Sequence, residues 1–178
     1  MTGLAATGMN PKKRPRLTIQ RSSVAAHVPS DAQFQRWASV ALDESSYRWE
    51  VALRIVGATR SRRINARYRG VDRPTNVLSF RTELPEKVRG ELERVFGARP
   101  LGDLVICAPL VQAEARRQRK RTADHWAHLL VHGILHLLGH DHEDSAQADE
   151  MEGLEREILA RMGIADPYAD PANAENAP

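Results

Sequence analysis

The chain has 178 residues, 42% of them hydrophobic, with a formal charge of +3 and a pI near 9.3. That is one domain's length with enough apolar content for a core, which excludes a globally disordered chain. A single cysteine, Cys107 in the apolar run LVIC, excludes a disulfide framework and a thiolate zinc site, and points to a reduced, cytoplasmic setting.

Residues 1–16 carry Lys12, Lys13, Arg14 and Arg16 without an acid, and no apolar segment follows. They read as a disordered basic arm, not a signal peptide. LTIQ (17–20) is the first expected strand. Ser30 and Gln33 form a capping pair ahead of Phe34, Trp37, Ala38 and Leu42, which recur at helical spacing. WEVALRIVG (49–57) alternates as a strand, and ATRSRRINARYRG follows as a short basic helix closed by Gly70. VDRP is a turn and TNVLSF (75–80) a strand. Residues 81–100, punctuated by Pro85, Gly90, Gly97 and Pro100, read as a loop with room for one helical turn. LGDLVICA (101–108) is the fourth strand, and PLVQAEARRQRKR opens a helix with proline in its first turn. Thr122 is placed to cap a long helix from Ala123 to Leu138, ended by Gly139; SAQADEMEGLEREILARMG is the last helix, and residues 169–178 a frayed tail. Strands that follow one another without a full crossover helix argue for an α+β domain over residues 17–168 with a small mixed sheet. The longest oily stretch, WAHLLVHGILHLL, is too short to span a bilayer, so no membrane partner is expected.

The chemistry concentrates in HGILHLLGHDH, residues 132–142. His132 and His136 stand i, i+4 on one helix face, so both rings can reach one ion. An unbroken helix would carry a third histidine too far along the axis; Gly139 ends the helix and permits a reversal that swings His142 back over it, with His140 as the reserve ligand. His128 and His132 form a competing pair that lacks such a turn. His125, His128, His132 and His136 together make a polar stripe on an otherwise apolar helix; the plain alternative is a buried helix whose histidines are satisfied by hydrogen bonds.

Three neutral imidazoles suit zinc, with nickel, copper or iron as other fits. Three protein ligands leave a fourth position for water, whose pKa then falls to about 7, the outline of a hydrolase. The spacing is that of the metzincin proteases, H-E-x-x-H-x-x-G-x-x-H, with Gly133 where the proteolytic general base stands. Asp141, Glu143 and Asp144 are the nearest acids that could replace it. Arginine clusters at RSRRINARYR and RRQRKR fit a phosphodiester substrate better, offering Arg60, Arg62, Arg63, Arg67, Arg116, Arg117 and Arg119 as a path for single-stranded RNA; solvated helix faces are the plain alternative.

HGILHLLGHDH, NARYRGVDRPTNVLSF, LGDLVIC, HWAHLLVHG and the closing DPY, the first of them the most specific, resemble the YbeY family of bacterial ribosomal RNA maturation factors, across residues 17–168. The resemblance implies a zincin-like α+β domain with a mixed four-stranded sheet beside the metal-bearing helix. It implies a single zinc ion on His132, His136 and His142, and a catalytic role for Arg69 beside the ligand His136; His140, Asp141 and His128 would support the site from behind. Also implied are single-strand endoribonuclease activity, 3′-end maturation of 16S rRNA, ribosome quality control in the cytoplasm, and partners in the ribosome or its small subunit and a ribosome-assembly GTPase. Two readings compete: a metalloprotease-like hydrolase lacking the usual glutamate, and a ribosome-assembly binding factor with a structural metal. Two departures from the family pattern stand out. Asn76 replaces a common aspartate, so a carboxylate there cannot be essential if activity is kept, and Arg81 follows LSF where proline is common.

Overall fold

The computed structural model describes residues 14–22, 27–43, 47–142 and 144–169. In chain order they form β1 (Arg16–Arg21), α1 (Asp31–Ala41), β2 (Trp49–Val56), α2 (Ala58–Arg69), β3 (Val77–Arg81), α3 (Glu86–Phe96), β4 (Arg99–Cys107), α4 (Ala108–Arg117), α5 (Thr122–Leu138) and α6 (Ser145–Arg161). The strands make one sheet in the order β1-β2-β4-β3, with β1, β2 and β4 parallel and β3 antiparallel at the edge. This is the expected α+β architecture with a mixed four-stranded sheet.

Period-two alternation splits the sheet into two faces. Val51, Leu53, Ile55, Leu104 and Ile106 point to the face covered by α1 and α5, where they join Phe34, Trp37, Trp126, Leu130 and Ile134 in the main core. Phe34 sits edge-on to both Trp37 and Trp126, at 5.7 and 5.5 Å between ring centroids. On the opposite face Val56, Leu78 and Val105 make a smaller cluster with Ile64 and Phe80. The long helix α5 lies close over the sheet at Gly133: a Cβ added there would stand 2.8 Å from Leu104 Cδ2. Ser79 Oγ donates to the Gly133 carbonyl at 3.3 Å from β3.

Several expectations need correction. Residues 81–100 are not a loop: Pro85 precedes, and Gly97 closes in the left-handed region (φ 72°), an eleven-residue helix, α3. Proline before the first turn and glycine after the last are helix punctuation as much as loop punctuation. The fourth strand begins two residues early, at Arg99, and Ala108 belongs to α4. β3 starts at Val77 rather than Thr75 and extends to Arg81. Thr122 is the first residue of α5 rather than its cap; Arg121 holds the cap position without a side-chain bond. Arg16, given to the arm, opens β1. Residues 1–13 of the expected arm and 170–178 of the expected tail lie outside the described residues. No helix among the described residues is long and apolar enough to cross a membrane.

Candidate metal centre

α5 buries one side in the core and leaves His132 and His136 partly exposed on the other. At its end Gly139 takes a φ of 103°, and the N–H groups of Gly139 and His140 both return to the Leu135 carbonyl, at 3.1 and 3.0 Å. That reversal carries the chain back toward the helix face. His142 follows, its N–H held by Asp141 Oδ1 at 2.8 Å.

The outcome is convergence of three rings. His132, His136 and His142 each offer a nitrogen, and these three atoms lie within 4.8 Å of one another. Ring centroids are 4.6 Å apart for His132–His136, 5.0 Å for His136–His142 and 5.7 Å for His132–His142. The Nε2 atoms of His132 and His136 stand 3.1 Å apart. A tetrahedral ion with bonds of about 2 Å sets its donors about 3.3 Å apart; the His132–His136 pair already stands near that spacing, and the His142 nitrogen lies within 4.8 Å of both. Burial lowers the pKa of His136, as do the neighbouring His132 and His142, while Asp141 opposes them. The net effect favours the neutral ring, the form that binds metal.

His140 does not join the three. Its Nδ1 faces Glu150 at 4.0 Å, and the ring lines a separate cavity with Leu42, Trp49 and Leu138. His128 is turned the other way as well, toward a carboxylate missed in the sequence. That group is Glu155 on α6, fully buried. Its Oε1 accepts from His132 Nδ1 at 2.7 Å, and its Oε2 accepts from His128 Nε2 at 2.9 Å and from the Tyr168 hydroxyl. Burial alone would raise the Glu155 pKa; the donors His128, His132 and Tyr168 outweigh it and hold the group at about 2. As a carboxylate it must receive the proton of His132 Nδ1, which leaves the Nε2 lone pair aimed at the other two rings. The same contact, with burial, pushes the Tyr168 hydroxyl pKa well up. A signal for Glu155 existed: it falls on the apolar stripe of α6 with Met151, Ile158 and Leu159, where an acid needs a partner.

Beside His132 opens a cleft of about 380 Å³ whose lining includes Asn76, Glu114, Arg117, Lys120, His128 and Tyr168. Buried His125 gives its Nε2 to Glu114 Oε2 at 2.8 Å, and Asn76 Nδ2 donates to the same oxygen at 3.1 Å. The amide at position 76 is thus the complement of a carboxylate rather than a substitute for one. Of the candidate arginines, Arg117 lines this cleft. Arg116 and Arg119 are neighbours of Arg117 in sequence, Arg62 is bound bidentately by Asp72, and Arg60, Arg63 and Arg67 line a groove on the far sheet face. Arg69 stands exposed in the last turn of α2, and no contact among the described residues ties it to the three imidazoles. Arg81 lies across the Gly139 turn, its Nη1 2.6 Å from where a Cβ on that glycine would be.

Similarity to known proteins runs along most of the chain. A family model described as Endoribonuclease YbeY matches residues 18–163. The Endoribonuclease YbeY of Alkalilimnicola ehrlichii is 54% identical over 145 residues, 80% of this chain and 84% of that protein. That of Halorhodospira halophila is 50% identical over 145 residues, 82% and 91% of the two chains, and that of Pseudomonas entomophila 47% over 154 residues, 86% and 93%. The solution structure of TM1509 from Thermotoga maritima covers 87% of this chain and 97% of its own, with a TM-score of 0.51 and 21% identity, a likeness of fold. With most of its length matched by the family model and by relatives near half identity, the chain belongs to the YbeY endoribonuclease family.

Proposed function

We propose that the chain is a zinc-dependent endoribonuclease that cuts single-stranded RNA internally. The observation that carries this reading is the convergence of His132, His136 and His142 on one point, with Glu155 fixing the tautomer of His132. A zinc ion bound there would supply Lewis-acid polarisation of a phosphoryl oxygen and an acidified water. The chain's own groups do the rest. Glu155 holds the His132 ring, Asp141 ties down the backbone that presents His142, and Arg117 and Lys120 give the adjoining cleft a positive wall for phosphate. Arg69, with no ion pair among the described residues, is assigned the phosphate clamp on the strength of the family resemblance. Either water or the substrate's 2′-hydroxyl serves as the nucleophile.

In the cell we assign it the 3′ end of 16S rRNA and ribosome quality control, in the cytoplasm, with the small subunit and a ribosome-assembly GTPase as partners; the family resemblance supports this assignment. Proteolysis is disfavoured because Gly133 stands where the proteolytic general base would be and has no group to take a proton. The test is direct. Purified protein should hold one zinc per chain and cleave a single-stranded rRNA fragment, and His136→Ala should lose both while keeping its circular dichroism spectrum. Cleavage that persists in folded, metal-free protein would end the catalytic reading and leave a binding factor.

A further inference from the structure

Away from the metal centre, the far face of the sheet is only partly covered. α2 packs there, over β3 and β4, and the outward residues Thr18, Gln20 and Arg54 of β1 and β2 stay exposed. Between α2 and the sheet runs a groove of about 750 Å³, lined by Arg54, Arg60, Arg63 and Arg67 with Ile64, Tyr68, Phe80, Asp103 and Val105 among its walls. Asp103 is the acid in this lining, against four guanidinium groups. None of the four arginines has an ion pair among the described residues, in contrast to Arg62, which Asp72 holds. Tyr68 is 61% exposed although it is aromatic, and stands edge-on to Phe80 at 5.0 Å, with the Arg67 guanidinium 5.5 Å from its ring centroid.

We propose that this groove is a docking site for single-stranded RNA, distinct from the metal centre, in which Arg54, Arg60, Arg63 and Arg67 hold phosphates while Tyr68 and Phe80 offer a face to a base. Unpaired guanidinium groups call for a polyanion. An exposed aromatic beside them narrows the polyanion to one whose bases are free to stack, which a duplex or an acidic peptide does not offer. The concave shape, with one wall a β-sheet and the other a basic helix, suits an extended strand; open sheets bearing aromatics are a recurring platform for it. Because the groove and the histidines lie on opposite sheet faces, RNA held in the groove must pass around a sheet edge to be cut. The groove therefore contributes affinity, and its removal raises KM while the chemistry at the metal continues. The proposal rests on the RNA reading for its ligand class and not on the metal.

The experiment measures binding of a labelled, unstructured oligoribonucleotide to the full chain in a His136→Ala background, where the RNA stays intact. Arg60→Gln, Arg63→Gln and Arg67→Gln combined should weaken binding at least tenfold and make the log–log salt slope shallower by about 2, at about 0.7 for each phosphate no longer neutralised. Tyr68→Ala should cost about fivefold or more with the slope unchanged, and Tyr68→Phe should restore affinity. These side chains are solvent-facing, and circular dichroism checks each fold. Unchanged affinity in the triple variant overturns the groove. So does indifference to Tyr68→Ala, equal affinity for a duplex of the same sequence, or a preference for anionic vesicles over the oligonucleotide. Failure of wild-type protein to cleave RNA would strike the nuclease reading alone and leave these binding results to stand or fall separately.

Discussion

At Glu155 one buried carboxylate accepts from His128, His132 and Tyr168 at once. An anion in that position stands only because three donors replace the water it has given up. Its effect on His132 is to settle which nitrogen carries the proton. Glu155→Gln keeps the shape but offers one acceptor and one donor where two acceptors stood, so the ring is free to adopt the wrong tautomer. The expected outcome is a zinc affinity about 10- to 100-fold weaker, read by competition with a chromophoric chelator; wild-type affinity in the variant would show that the contact is only structural. Glu114 works on the same principle in a different place. Burial opposes its charge, yet bonds from His125 and Asn76 hold its pKa below the ordinary carboxylate value of 4.5. A depressed folded-state pKa contributes stability that is complete above pH 4.5 and is lost as the pH falls through the lowered value. Glu114→Ala, which strips buried His125 of its partner, should therefore cost about 1–3 kcal/mol at pH 7. That deficit should narrow below pH 4.5, where the wild type loses the same contribution; urea denaturation at both pH values decides it, and a pH-independent difference would rule out the charge as the cause.

Among the elements, the turn after α5 decides whether there is a site at all. Gly139 holds a φ of 103° with Arg81 packed against the place of its missing Cβ. Gly139→Ala should destabilise the fold by more than about 1 kcal/mol, since an L side chain is strained there. It should also weaken zinc binding more than it weakens the fold, because His142 is delivered by that turn. Calorimetry with and without zinc separates the two effects, and a variant with normal affinity would mean that His142 finds its place by other means. This turn was legible in the sequence: an i, i+4 histidine pair, a glycine three residues on, and further histidines have few other physical readings. So were the four strands, β2 by its alternation and the others to within two residues at their ends. α3 was not: Val88, Leu92, Val95 and Phe96 do recur at helical spacing, but Pro85, Gly90, Gly97 and Pro100 read as loop punctuation and mask the stripe, which stays largely exposed. What holds it is Arg99, whose Nε and Nη1 reach Glu93 and Glu86 at 2.6 Å each. Such a charge pairing between elements leaves no periodic trace. For Glu155 the apolar stripe of α6 signals that a partner is needed but not which one, and the same is true of the bond from His125 to Glu114, because partnership between helices is a property of packing.

For the molecule as a whole, the three histidines and Glu155 link elements that the core already packs together, α5, the turn after it and α6. His132 and His136 sit on a helix packed deep against the sheet, His142 lies past the turn, and Glu155 brings in α6, which in turn anchors Tyr168 near the chain's end. An ion at that junction binds only the folded arrangement, so its affinity becomes folding stability, about 4 kcal/mol when free zinc exceeds Kd a thousandfold. For a chain of this size each kcal/mol moves Tm by about 2–4 °C, so saturating zinc should raise Tm by roughly 10 °C and a chelator should reverse it. His142→Ala makes this specific to the site, because His142 is exposed and outside the helix, and its removal should leave the metal-free Tm nearly unchanged while abolishing most of the zinc shift. A shift of equal size in His142→Ala would mean that zinc stabilises the chain somewhere other than between these three rings, and the site's chemistry would have to be sought there instead.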